Sequence, residues 1–175
     1  MAPPIEVSDG NLYGTTVGTD DLSTIYKYTL RGGVYSTIYT FTAGYGEAVQ
    51  GQLTEASDAN LYGAAPLGGA DFCGTLFKVS QTGTLVWSYD FPCGSGGQSP
   101  YSLTQASNGN LYGVTSSGGA ELNCGTIFQA GPTGEVSILY AFPSYAGGCN
   151  PQTALTVGTA RQQTLRRCWV WGSTQ

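Results

Sequence analysis

Two carboxylates, Glu6 and Glu55, occupy matching places in a repeated pattern. A carboxylate pair is the one set of side chains in this chain able to run acid and base chemistry on a glycosidic bond. The chain contains no His, so a Ser or Cys nucleophile would lack the imidazole that usually activates it. In the third copy of the pattern Gln105 replaces the carboxylate, which favours a repeat-equivalent polar residue over a catalyst. Asp9 and Asp58 share a turn position with Asn108, where a side-chain acceptor caps nearby backbone N–H groups. Asp20 and Asp21 are the only adjacent acidic pair. A Ca²⁺ site needs several oxygen ligands in one loop, so the sequence implies neither a metal nor a cofactor, and no catalytic residue is assigned.

The elements that carry these residues announce themselves by repetition. "SDGNLYG" at residues 8–14, "SDANLYG" at 57–63 and "SNGNLYG" at 107–113 recur at intervals of 49 and 50. A structural unit that packs on copies of itself repeats in this way, and a catalytic motif does not. The unit from residue 98 reads as four short strands, "SPYSLTQAS", "NLYGVTS", "GTIFQAG" and "EVSILYAF". Turn pairs separate them: Asn108-Gly109 and Thr133-Gly134 here, Asp9-Gly10 and Gly32-Gly33 in the first copy, Asp58-Ala59 and Thr82-Gly83 in the second. These residues suit the positive φ of two-residue hairpin turns. Strand three keeps an aromatic at Tyr26, Phe77 and Phe128, and strand four keeps Tyr39/Phe41, Tyr89/Phe91 and Tyr140/Phe142. Aromatics at a period of two point to one buried sheet face.

Composition agrees. The 175 residues include 27 Gly and 12 Tyr, with 10% charged side chains and a net charge of −5, a profile of strands and turns. Residues 1–160 carry three basic against eleven acidic side chains, which argues against a nucleic-acid partner. The start "MAPPIEV" has no export-signal pattern, and no apolar run reaches the roughly 20 residues of a membrane helix.

The expected fold is therefore all-β, a partial β-propeller of three four-stranded antiparallel blades of about 50 residues plus the start of a fourth. Repeats run over about 1–49, 50–98 and 99–149, a fourth opens near 150, and the repeat domain spans 1–157. Gly68/Gly69 and Gly118/Gly119 resemble the Gly pairs of kelch repeats, although the Tyr and Trp spacing differs. The units "SDGNLYGTT" and "SNGNLYGVTSSGGAELNCGTIFQAGPTGEVSILYAF" more closely resemble the Gloeo/Verruco repeat of bacterial choice-of-anchor tandem repeat proteins. That resemblance covers roughly residues 5–157 and implies a secreted or surface-attached repeat protein, with no reaction attached to it.

Strand order makes the cysteines informative. Cys73 precedes strand three of the second repeat and Cys93 follows strand four, so the two ends of one hairpin meet; Cys124 and Cys149 hold similar places in the third. The expected bridges are Cys73 to Cys93 and Cys124 to Cys149. Buried free thiols are the plain alternative, and zinc fits poorly without CxxC spacing or His. Bridges imply an oxidising compartment, hence an extracellular or cell-surface location, and an export signal missing from this chain.

Loops differ between the two ends of the blades. The turns after strands one and three are short, whereas "VGTDDLS", "PLGGADFCG", "SSGGAELNCG", "TAGYGEAVQG", "PCGSGGQSP" and "PSYAGGCNPQ" are long and dissimilar. Ligand contacts concentrate on loops held by a rigid scaffold, so the expected contact residues are Asp20, Asp21, Tyr45, Asp71, Phe72, Glu121, Leu122 and Tyr145. Mixed aromatic and acidic loops suit a glycan or an extracellular protein. The expected function is a non-enzymatic binding module. The alternatives are a purely structural spacer or truncated product without independent function, and a carboxylate-dependent glycan-active enzyme.

Residues 158–175 break the pattern. "ARQQTLRRCWVWGSTQ" stands where another Asn-Leu-Tyr-Gly belongs. With codons chosen from those permitted, reading one nucleotide later gives His-Gly-Asn-Lys-Leu-Tyr-Gly-Val-Ala-Gly-Phe, which is consistent with a frameshifted remnant; the alternative is a genuine divergent terminus. Three blades leave two apolar faces open. A homodimer that completes a ring, or a tail folded over one end, would cover them.

Overall fold

The computed structural model describes residues 2–17, 22–42, 49, 51–120, 123–143 and 148–158. The predicted frameshift lies in residues outside these. The first repeat forms β1 (Ile5–Glu6), β2 (Leu12–Val17), β3 (Ser23–Thr29) and β4 (Val34–Thr40). The second forms β5 (Thr54–Glu55), β6 (Asn60–Ala65), β7 (Thr75–Ser80) and β8 (Leu85–Asp90), and the third β9 (Gln98–Gln105), β10 (Leu111–Ser117), β11 (Thr126–Ala130) and β12 (Val136–Ala141). Each repeat is one antiparallel sheet of four strands in sequence order. All three sheets are open, and no described helix is long and apolar enough to cross a membrane.

The recurring glycine follows from a close approach. Gly14, Gly63 and Gly113 sit directly across from Tyr26, Phe77 and Phe128. A Cβ on Gly63 would fall 2.3 Å from the Phe77 ring and one on Gly113 2.5 Å from the Phe128 ring. The outer end of the ring takes the space a Cβ would fill, and Phe77 and Phe128 are wholly buried. Burying such a side chain stabilises the fold by roughly 2–3 kcal/mol.

The turns differ from the two-residue form expected. In the loop between β1 and β2, Gly10 N–H donates to Val7 O (2.8 Å) and Val7 N–H to Asn11 O (3.1 Å). This is a three-residue loop, a tight turn closed by one residue at positive φ. Residues 57–59, 81–83, 107–109 and 132–134 repeat it, while residues 30–33 make a four-residue loop. Only the third loop residue needs positive φ, which is why Ala59 (φ 59°) serves where Gly10 and Gly109 otherwise stand. A residue with a Cβ pays roughly 1–2 kcal/mol there.

Neighbouring sheets share two cores. One joins Val7, Tyr13, Ile25 and Phe41 of the first repeat to Leu61, Phe77 and Val79 of the second. The other joins Tyr62, Leu76 and Phe91 to Leu103, Leu111 and Phe128. Both boundaries are centred on the same contact: Phe41 meets Phe77 edge-on at 4.8 Å and Phe91 meets Phe128 at 5.3 Å. The strand-four aromatics of one repeat thus rest on the strand-three aromatic of the next.

Candidate functional site

The cysteine pairs close as the hairpin geometry requires. Cys73 and Cys93 are bridged with their Cα atoms 5.3 Å apart, and Cys124 and Cys149 with theirs 4.5 Å apart. Each bridge ties the start of strand three to the connection after strand four. Their backbones also reach into the next repeat, since Cys73 O accepts from Ser99 N–H (2.8 Å) and Cys124 O from Asn150 N–H (2.9 Å). Pro100 and Pro151 then pack on Gly74 and Gly125. In the second and third repeats the start of strand three and the connection after strand four are therefore tied to each other covalently and to the next repeat through the backbone.

Among the eight predicted contact residues, Asp71 and Phe72 are described and both are exposed. Asp20, Asp21, Tyr45, Glu121, Leu122 and Tyr145 lie outside the described residues. In the loop at 66–74, Phe72 N–H donates to Gly69 O (3.1 Å) and Gly74 N–H to Gly68 O (2.8 Å). Asp90 holds the loop from below, with Oδ1 accepting from Thr75 Oγ1 (2.9 Å) and Oδ2 from Ala70 N–H (3.3 Å). The corresponding loop of the third repeat is one residue longer, with Asn123 N–H donating to Ala120 O (2.9 Å) and Gly125 N–H to Gly118 O (2.9 Å). Phe72 and Asn123 each stand directly before the bridged cysteine, and both sit at φ 56°. Asn is one of the few residues that enter this region readily, and a bulky aromatic is not. Phe72 nevertheless holds the position with 60% of its surface exposed, and Leu67 in the same loop is 49% exposed.

At the opposite end of the sheets is a set of side chains that the sequence reading did not bring together. Asp9 accepts from Lys27 Nζ (2.7 Å) and from Tyr13 Oη (2.9 Å), and the ammonium lies 5.3 Å from the centre of the Tyr13 ring. Asp58, Lys78 and Tyr62 repeat this arrangement, with Asp58 to Lys78 at 2.8 Å and to Tyr62 at 2.8 Å. Asn108 donates to Tyr112 Oη (2.9 Å) in the third repeat, and Gln129 sits opposite Tyr112 in register. Burial pushes the Asp9 carboxyl up, but hydrogen bonds from Lys27, Asn11 and Tyr13 outweigh it and hold the pKa at about 2. At Asp58 the same opposing effects, with Lys78, Tyr62 and Asn60 as donors, also give about 2. The acceptor role expected for these turn residues is met as well: Asp9, Asp58 and Asn108 each accept from the backbone N–H two residues on, at 3.0–3.1 Å. The third repeat does without the charges, so what all three copies share is a side-chain contact that fastens the turn to the sheet. The signal was in the sequence as a joint change, Asp with Lys in two copies and Asn with Gln in the third.

Strand one lines a groove of about 640 Å³ that includes Thr54, Glu55, Ser102, Thr104 and Gln105. Glu55 Oε2 accepts from Ser8 N–H (2.8 Å), and Oε1 from Ser8 Oγ and from Gln81 Nε2 (2.9 Å). Gln105 Oε1 accepts from Ser57 N–H (2.8 Å) one repeat further on. Both residues thus clamp the first turn of the preceding repeat, and an amide does the work as a carboxylate does. Among the described residues, no group of three or more His, Cys, Asp or Glu side chains is arranged to hold a metal ion.

The family model of the Gloeobacter/Verrucomicrobia repeat matches residues 1–174. No curated protein matches the chain.

Proposed function

The chain belongs to the Gloeobacter/Verrucomicrobia repeat family, and from that premise we propose that its three sheets are consecutive blades of a β-propeller arc serving as a non-enzymatic binding module outside the cell. The ligand is a glycan or an extracellular protein, met at the disulfide-tied loop end. Phe72 carries this reading. An exposed aromatic at φ 56°, where the third repeat has Asn123 before its bridged cysteine, lowers stability without filling any core. Strain of that kind persists where the surrounding structure imposes it, and it clusters at ligand sites. Two disulfides support an oxidising compartment.

The test is binding of the purified chain to insoluble cellulose, chitin and xylan and to an immobilised extracellular-protein panel, comparing the native sequence with Phe72→Asn. The expected result is retention on at least one support and its loss in the variant, with folding unchanged. Retention on none of them, or equal retention of both proteins, would overturn the reading.

A further inference from the structure

The two boundaries between sheets are built from one set of contacts, and each outer end of the molecule carries half of that set. At the boundaries, Phe41 and Phe91 are 2% and 1% exposed, and the facing Leu61 and Leu111 are buried. Within their own repeats Phe41 and Phe91 are met edge-on by Tyr39 and Tyr89, and the third repeat makes the same pair, Tyr140 with Phe142 at 5.2 Å, yet Tyr140 is 49% exposed and Phe142 only half-buried. The first repeat has the matching receptor: Tyr26 across from Gly14, and half-buried Leu12 in the place of Leu61. Around them is an apolar pocket of about 430 Å³ that also involves Pro4, Tyr28 and Tyr35.

The polar half-contacts divide in the same way. Ser8 and Ser57 are clamped by Glu55 and Gln105 of the following repeat. Among the described residues, the equivalent Ser107 N–H has no acceptor and the Glu6 carboxylate, the equivalent of Glu55, has no donor. Residues 153–157 follow the strand-one path of a further sheet, because Thr104 Oγ1 donates to Leu155 O (2.6 Å) as Thr54 Oγ1 does to Leu103 O (2.5 Å). That places Val157, 47% exposed, where the clamp residue belongs. Its side chain offers Ser107 nothing.

We propose that the Tyr26 face of this chain receives the Tyr140–Phe142 face of a second copy, with Glu6 of one clamping Ser107 of the other and residues 153–157 giving up the strand-one path. Two such contacts, related by a two-fold axis, cover both open ends at once. The occupant is a second copy because each end supplies what the other lacks, in the geometry both internal boundaries already use.

Light scattering on the size-fractionated full-length chain at micromolar concentration tests this. The native protein should elute at twice its 18.2 kDa mass, and Phe142→Asp and Tyr26→Asp should each elute as monomers. Mixing the two variants should restore a dimer, through the intact Phe142 of one and the intact Tyr26 of the other, which also shows both to be folded. Val157→Glu, which gives Ser107 an acceptor within its own chain, should raise the dissociation constant about tenfold. A monomeric native protein, a dimer that survives either single substitution, or a mixture that stays monomeric overturns the proposal.

Discussion

Ser8 and Glu55 stand in adjacent repeats and are joined twice, through the Ser8 N–H at 2.8 Å and through its hydroxyl. Gln105 makes the corresponding contact to Ser57 with a neutral amide. The clamp therefore needs an acceptor and not a charge. Glu55→Gln should leave stability within about 0.5 kcal/mol of the native protein, whereas Glu55→Ala should cost about 1–2 kcal/mol by removing the acceptor from a backbone N–H. Urea unfolding of the two variants measures the difference. Equal losses would show that the negative charge itself matters at this position.

The second expectation ranks the motif glycines. A Cβ at Gly63 meets a fully buried Phe77 ring at 2.3 Å, and one at Gly14 meets the half-buried Tyr26 at its hydroxyl end at 2.5 Å. Overpacking a closed core costs about 1–3 kcal/mol. Gly63→Ala should fall at the upper end of that range and Gly14→Ala at the lower, because Tyr26 has solvent to move into. Thermal melts of the two variants should differ in that order.

The strand order and the cysteine pairs were legible in the sequence because both follow from the spacing of one unit repeated three times. The turn class was not. Asp-Gly and Asn-Gly serve two-residue and three-residue loops alike, and what separates them is how many residues take positive φ. The Asp9–Tyr13–Lys27 triad escaped because Lys27 comes from another strand, and a lysine on a strand reads as an ordinary solvated residue. Glu55 was legible as polar and repeat-equivalent, but its partner Ser8 lies in the neighbouring sheet, and no single-repeat pattern connects them. Phe72 could be marked only as a loop aromatic, since its backbone conformation is invisible in sequence.

Acid should probe the triads. Asp9 and Asp58 are depressed to about 2 in the folded protein, and an ordinary value near 3.8 applies to the unfolded chain. A depressed carboxylate contributes stability that is present above its unfolded pKa and lost as pH falls through the folded one. Stability should therefore decline between about pH 4 and pH 2, by on the order of 1 kcal/mol per carboxylate once solvent screening is allowed for. The double variant Asp9→Asn with Lys27→Gln copies the third repeat, and should flatten this part of the pH profile in urea titrations.

Each disulfide closes a loop of 20 or 25 residues, for which the chain-entropy account gives roughly 3 kcal/mol. Denaturing without reductant should leave one reactive thiol, Cys168, of the five cysteines in the chain. Adding reductant should expose all five and lower the urea midpoint. Two or more reactive thiols before reduction would mean that a bridge is absent in solution.

Phe72 and Asn123 allow stability and binding to be separated at one backbone position. Both have φ 56°, both directly precede a bridged cysteine, and the backbone N–H of each donates to the carbonyl three residues back. Exchanging residues should therefore move stability in opposite directions: Phe72→Asn should stabilise by about 0.5–1 kcal/mol and Asn123→Phe should destabilise by at least as much. Asn123 has an added role, since its Oδ1 accepts from Gly118 N–H, so its loss leaves a backbone donor without that partner. If Phe72 were an incidental loop residue, replacing it would improve the protein at no cost to any interaction. If it anchors a ligand, the stabilised variant binds less, which is the usual trade between stability and function at a strained site. Paired melts and retention assays on the one substitution decide between these outcomes, because the first reports the backbone and the second reports the exposed ring.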